Sequence, residues 1–301
     1  MSKLKPWISA MRLRTLPLSV SGVVIGTCMA YYNGAFNWGV FILALMVTTA
    51  LQILSNLAND YGDGVKGTDN NERLGPKRAI QSGAISPQDM LEAIKMNILI
   101  IIFLVLALLF FAFGFTNFFY VLLFVALGGF SVYAAITYTM GDSPYGYKAL
   151  GDVFVFIFFG LLSVLGTYFL NVKQLDHVVL LPAISLGMLS MAVLNLNNMR
   201  DIDSDEKSGK ITVAVKLGLK KAKQYHYILV FGAMLLTALF FVLYYVSSYN
   251  ALVFISYIPL LIHLRIISKT DNPEAFDKQL KVLALSTFLF SLLLGVGYIL
   301  F

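Results

Sequence analysis

Nine apolar runs dominate this chain, at about 15–33, 37–58, 93–115, 118–138, 151–171, 178–199, 225–247, 250–267 and 281–301. Each is near the ~20 residues a helix needs to cross a bilayer. The expectation is an all-α polytopic membrane protein with nine transmembrane helices in one domain, 1–301. Composition agrees, since 58% of residues are hydrophobic and only 13% charged, far from a soluble domain. The lone cysteine, Cys28, excludes a disulfide framework and a cysteine metal site. Lys3, Lys5, Arg12 and Arg14 before the first run resemble a signal peptide. No small-residue cleavage site follows, so the first run reads as a retained helix.

Charge sets the expected orientation. With the N-terminus cytoplasmic, the inner segments are 1–14, 59–92, 139–150, 200–224 and 268–280, and of 22 Lys and Arg only Lys173 falls outside. The positive-inside rule therefore predicts N-in, C-out. Among the acids Asp176 alone lies outside. Outer connections are short and nearly uncharged, as tight turns require. Ser86-Pro87-Gln88-Asp89 reads as an N-cap, a proline at the first helical position and a first-turn acid. The net charge of +6 fits an inner face against anionic headgroups, and no nucleic-acid partner is expected. A bacterial inner membrane, with the chemistry on the cytoplasmic side, is the expected location.

Two polar stretches interrupt this apolar pattern, at 56–69 and 197–205. The first reads Asn56-Leu57-Ala58-Asn59-Asp60-Tyr61-Gly62-Asp63 and runs on to Lys66 and Asp69; the second is Asn197-Asn198-Met199-Arg200-Asp201-Ile202-Asp203-Ser204-Asp205. Asn59 and Asp63 are four apart, as are Asn197, Asp201 and Asp205, so a continuing helix puts each set on one face. Asp203 then points about 200° from Asp201. Both stretches end an even-numbered run, which suggests an internal pseudo-repeat. Solvated helix ends commonly carry charge, but acids at a helix C-terminus oppose its dipole. A dense acid cluster at the membrane boundary needs countercharge. Carboxylate pairs of this kind suit Mg²⁺ shared with phosphate oxygens. Bases to neutralise a diphosphate follow each stretch: Lys66, Arg73, Lys77 and Arg78; then Arg200, Lys207, Lys210 and Lys216. Arg200 reads equally as a phosphate fork or as the ion-pair partner of Asp201. Gly62, Gly64 and Gly67 suit either a turn or a close backbone approach to phosphate.

Five segments, RLRTLP (12–17), NDYGDGVKGTD (59–69), RLGPKRAIQSGAIS (73–86), YGYKALGD (145–152) and NNMRDIDSDEKSGKITVAVKLG (197–218), resemble the UbiA superfamily of intramembrane aromatic prenyltransferases. They are most similar to its branch acting on 1,4-dihydroxy-2-naphthoate. The resemblance implies two Mg²⁺ ions (Mn²⁺ as a substitute), one served by Asn59, Asp63 and Asp69, the other by Asp201 and Asp205, with Asp60 a further metal candidate. The final acid of the first motif is displaced, Gly67 standing where the broader family has Asp. Lys66, Arg73, Arg78, Asn197, Asn198, Arg200 and Lys210 are the expected diphosphate contacts. Arg14, Asn56, Tyr138 and Tyr147 are candidates for the acceptor. Many members carry Tyr-x-x-x-Lys; here Tyr138 is followed by Asp142, leaving that lysine's role unassigned.

The partners so implied are a polyprenyl diphosphate, 1,4-dihydroxy-2-naphthoate and the lipid bilayer. The expected reaction releases CO₂ and diphosphate and yields demethylmenaquinol. Phe110, Phe111, Phe113 and Phe115, and Phe154, Phe156, Phe158 and Phe159, are candidate walls for the prenyl tail. His177, His226 and His263 look scattered and unpaired with any motif. A same-fold enzyme for 4-hydroxybenzoate or homogentisate is the nearest alternative. A cation transporter is the remote one, since transport places acids at mid-membrane with openings to both sides.

Overall fold

The computed structural model describes residues 4–68, 75 and 77–300. Among these the chain is all-α, with one isolated backbone bridge between Lys148 and Ile211. Nine helices long and apolar enough to cross a membrane follow one another: α1 Leu4–Tyr32, α2 Trp38–Lys66, α3 Pro87–Phe113, α4 Phe118–Thr137, α5 Gly151–Val172, α6 His177–Arg200, α7 Val213–Leu243, α8 Ser248–Ser268 and α9 Pro273–Ile299. Helix α1 bends near its start, where Arg12 takes a left-handed conformation (φ 48°) and a 3₁₀ turn spans Leu13–Thr15. Asn56 of α2 holds that bend by donating to the Met11 carbonyl and to Thr15 Oγ1.

Helices α2 and α9 outrun the apolar spans that hydropathy marks, and α7 does so across a break at Gly218 (φ 68°, ψ 160°). The first polar stretch is the clearest case, because α2 continues to Lys66 instead of ending near residue 58. Gly67 (φ 74°) supplies the left-handed C-cap, and Thr68 N bonds the Asp63 carbonyl. Gly62, inside the helix, serves packing: a Cβ there would lie 2.5 Å from Thr139 Oγ1. The Ser86 cap forms as its sequence predicts, Oγ accepting from Asp89 N with Pro87 next in the first turn.

Two apolar cores flank a central space. One joins α2 and α3 to parts of α1, α4 and α5, through residues such as Val47, Leu54, Met90 and Ile101. The other joins α6 to α9 with α1 and α5, through Ile25, Tyr168, Leu186, Phe240 and Phe290. Close crossings rely on glycine, as is common between membrane helices. A Cβ on Gly160 of α5 would sit 2.5 Å from Gly187 Cα of α6, and one on Gly26 of α1 would sit 2.5 Å from the Val164 carbonyl.

Two of the histidines prove to be paired with each other. His226 of α7 and His263 of α8 are buried with their Nε2 atoms 2.8 Å apart, and His263 Nδ1 lies 2.9 Å from Gln279 Oε1 of α9. The amide oxygen can only accept, so His263 donates to it and receives from His226. The contact ties three helices together. It is invisible in sequence because the rings are 37 residues apart.

Candidate active site

Both polar stretches stand at one end of the bundle, joined through side chains. Asp63, in the last turns of α2, is buried, and its Oδ2 accepts from Arg78 Nη1 at 2.8 Å. Its Oδ1 accepts from the Tyr147 hydroxyl at 2.8 Å. The same hydroxyl meets Thr68 Oγ1 at 2.6 Å, while the Tyr147 carbonyl accepts from Ile211 N. Tyr147 thus clasps the first stretch to the loop after the second. Lys210 completes the link, its Nζ lying 3.8 Å from Asp63 Oδ2 and 3.7 Å from Asp205 Oδ1.

The second stretch does not continue as one helix. Helix α6 ends at Arg200, Asp201 steps out of helical geometry (φ −101°, ψ 11°), and a short helix covers Ile202–Lys207. Asp205 N still bonds the Asp201 carbonyl at 2.8 Å, so the two acids remain one turn apart. Both are buried and Asp203 is exposed, as the face argument requires. Arg200 is committed to protein partners: Nε and Nη2 to Asp201, Nη1 to Asp277 at 2.6 Å and Nη2 to Asn197 at 2.9 Å. The ion pair with Asp201, one of its two readings, is present.

Other candidates are placed as follows. Asn59 lines the cavity, its side-chain oxygen accepting from Thr139 Oγ1 at 3.3 Å. Asp60 is buried and accepts from Ala79 N and Ile80 N, anchoring the chain that returns after the first stretch. Lys66 donates to the carbonyls of Thr139 and Gly141, which ties it to the loop after α4. Asn197, Arg14, Asn56 and Tyr138 line the cavity, whereas Asn198 is buried away from its lining. Asp69 and Arg73 lie outside the described residues. Lys77, Lys281 and Asp277 also line the cavity. Asp277 and Lys281 went unrecognised because α9 was expected to begin only at residue 281. Their four-residue spacing is the signal that an earlier start would have exposed.

Electrostatics bind this cluster together. Burial would push the Lys210 ammonium down, but the carboxylates of Asp63 and Asp205 outweigh it and hold the group above its usual range. Burial raises the Tyr138 hydroxyl to about 12. Burial, then the Asp63 charge, raises that of Tyr147 as well. Among the described residues no three carboxylate, imidazole or thiol side chains converge on one point. A cationic side chain stands instead between acids of the two stretches. Lys210 shows that Asp63 and Asp205 can share one positive charge, and their hard oxygens are the donors Mg²⁺ prefers.

From this charged end a cavity of about 770 Å³ runs into the bundle between the two cores. Near the acids it is lined by Asn59, Asp63, Arg78, Asn197 and Lys210; farther in, by Val47, Leu108, Leu127, Phe154, Phe158 and Phe159. In α5 the stretch Phe156–Leu162 winds as a π-helix, a feature frequent at functional sites. Phe156 packs on Gly187 instead of entering the cavity. Phe110, Phe111 and Phe115 are exposed on the outside of the bundle and Phe113 lies behind the wall. Phe124 of α4, unrecognised in the sequence, lines the cavity in their place.

Helices of membrane-spanning length around an apolar cavity, capped at one end by paired acids and bases, define a polytopic membrane protein built to hold a ligand with a charged head and a greasy tail. The chain belongs to the UbiA prenyltransferase family, whose pattern matches residues 19–292. It is 41% identical over 297 residues to the 1,4-dihydroxy-2-naphthoate octaprenyltransferase of Escherichia coli (strain K12), covering 98% of this chain and 96% of that one. It is 40% identical over 300 residues to the enzyme of the same name from Haemophilus influenzae, with the same coverage of 98% and 96%. The fold resembles the apo structure of a UbiA homologue from Aeropyrum pernix K1 (TM-score 0.67, 16% identity, 96% of this chain and 98% of that chain). It also resembles a UbiA homologue from Archaeoglobus fulgidus bound to DMAPP and Mg²⁺ (TM-score 0.64, 16% identity, 97% and 99%).

Proposed function

We propose that this protein transfers a polyprenyl group from an allylic diphosphate to 1,4-dihydroxy-2-naphthoate in a Mg²⁺-dependent reaction that yields demethylmenaquinol. The supporting observation is Lys210 between Asp63 and Asp205 at the mouth of an apolar cavity. The likeness to the E. coli and H. influenzae enzymes supports the acceptor.

Asn59, Asp63 and Asp69 would hold one Mg²⁺, and Asp201 and Asp205 a second, with Mn²⁺ as a possible substitute. Held there, the ions would supply positive charge that makes the diphosphate a better leaving group. Arg78 and Lys210 meet its oxygens from the protein side. Arg200 acts one step back, orienting Asp201 and Asn197. The cavity takes the tail and keeps water from the allylic carbon. That carbon loses its bond to the diphosphate oxygen and gains one to the naphthoate ring carbon bearing the carboxylate. The carboxylate leaves as CO₂, and its bonding electrons restore the aromatic ring. Tyr138, Arg14 and Asn56 stand where the acceptor would enter.

In this reading residues 1–301 form one domain with two pseudo-repeated polar stretches, in the inner membrane with its charged end toward the cytoplasm. The distribution of Lys and Arg supports that orientation. No nucleic acid takes part.

The test supplies purified protein with Mg²⁺, an allylic diphosphate and dihydroxynaphthoate labelled in its carboxylate. Labelled CO₂ and a prenylated naphthol identified by mass spectrometry are expected. Product from 4-hydroxybenzoate or homogentisate in place of the naphthoate would overturn the acceptor assignment.

A further inference from the structure

Lys281 is a cavity cation that no acid holds. Helix α9 turns one face to the cavity: Asp277, Leu280, Lys281 and Ala284 all line it, at the three- and four-residue spacing of a single helix side. Asp277 is committed to the second polar stretch, its Oδ1 accepting from Arg200 Nη1 at 2.6 Å. Arg78 and Lys210 both face Asp63, and Lys210 also faces Asp205. Among the described residues no ion pair holds Lys281, one turn beyond Asp277.

Its place in the helix matters as much as its charge. Lys281 lies about 6 Å farther into the bundle than Asp277, at ~1.5 Å per residue. The next cavity residue on that face is Ala284, so Lys281 marks the boundary between the polar mouth and the apolar wall. Helix α9 packs against α1 and α6, whose Arg14 and Asn197 also line the cavity. The Lys281 side chain is exposed, so water reaches its ammonium.

The proposed reaction brings a second anion to this boundary. The diphosphate is met by Arg78, Lys210 and the proposed metals, and the allylic carbon is one bond from it. The ring carbon that attacks carries a carboxylate, which must lie beside that carbon as the new bond forms. An ammonium is a hydrated point charge and holds a carboxylate less firmly than a two-pronged guanidinium does. The looser hold suits a carboxylate that has to depart. CO₂ leaves uncharged, and the prenylated quinol keeps no anion for the ammonium to hold.

We infer that Lys281 selects the acceptor by its carboxylate and releases its hold on the product once that group has gone. The inference rests on the proposed transfer to a naphthoate. A charge-assisted contact at a site that water reaches should change affinity by about fivefold to tenfold.

The experiment measures affinity by calorimetry with Mg²⁺ and an unreactive thiolodiphosphate analogue of the donor present. Its two ligands are 1-hydroxy-2-naphthoate and 1-naphthol, which differ only in the carboxylate. Wild type should bind the naphthoate more tightly, and added salt should shrink the difference. Lys281→Gln, and Lys281→Met as a second neutral variant, should weaken naphthoate binding by that factor. Both should leave the affinities for naphthol and for the donor analogue unchanged, and Lys281→Arg should keep the carboxylate preference. In turnover, the neutral variants should raise KM for dihydroxynaphthoate and not for the donor.

No carboxylate preference in wild type, or an undiminished one in the neutral variants, overturns the inference. Equal loss of both naphthalene ligands would make the role of Lys281 structural, and loss of the donor analogue would assign it to the diphosphate; either result also overturns it. Wild-type turnover keeps the assigned reaction separate. A preference that depends on Lys281 without naphthoate prenylation would retain the carboxylate hold and overturn the reaction, and prenylation without the preference would do the reverse.

Discussion

Tyr147 donates a 2.8 Å hydrogen bond to Asp63, although 84 residues separate them in the chain. The pair couples the loop after α4 to the last turns of α2 at the point where the two polar stretches meet. A hydrogen bond to a charged acceptor contributes about 1.5–3 kcal/mol. Tyr147→Phe is therefore expected to lower kcat/KM by about tenfold to a hundredfold with the protein still folded. Wild-type kinetics in the Phe variant would show that Tyr147 does not orient Asp63 for the reaction.

Asp63 carries a charge that Arg78 and Lys210 both face. Asp63→Asn keeps an acceptor at that site but removes the charge, and transfer should fall below detection. Lys210→Met should also depress turnover, while Lys210→Arg should recover part of it. Product formation by Asp63→Asn at the wild-type rate would remove this residue from the proposed metal set.

Excess EDTA should abolish prenyl transfer, and Mg²⁺ or Mn²⁺ added back should restore it. The same treatment should abolish calorimetric binding of the diphosphate analogue. Undiminished transfer after chelation would exclude a divalent ion from the reaction.

Arg200 and Asp277 test burial against exposure. The Arg200 side chain is 1% exposed and that of Asp277 is 35% exposed. Arg200→Lys replaces a planar fork with a point charge and leaves Asp201 and Asn197 incompletely paired in the interior. Because the charge is kept, the loss of stability should be that of buried hydrogen bonds left unmade, about 1–3 kcal/mol. Asp277→Asn, screened by solvent, should lower the melting temperature in detergent much less. Equal losses would contradict the structural role assigned to Arg200.

Much of the architecture was legible because a bilayer imposes one length and one polarity on every crossing. The centres of all nine helices, the Ser86 cap and the short turns at one end needed no tertiary information. Helix ends were less legible, since hydropathy reports the membrane boundary and not where hydrogen bonding stops. Thus α2 carries Asn59–Lys66 as helix until Gly67 caps it, and α9 begins early enough to bring Asp277 and Lys281 to the cavity.

Within the site, residue identity and spacing alone determined which polar side chains share a face: the Asn59 amide with the Asp63 carboxylate, and Asp201 with Asp205. Chemistry local to the chain also separated the exposed Asp203 from its buried neighbours. Which base meets which acid was decided only by the fold. Arg200 turned to Asp201 and Asp277, Lys66 to the carbonyls of Thr139 and Gly141, Lys210 to both stretches at once, and Asp60 to backbone amides. Periodicity within a helix is a short-range property that sequence carries. Partnership between helices depends on how whole faces pack, and the same packing brought Phe124 and not Phe110 or Phe111 to the cavity wall.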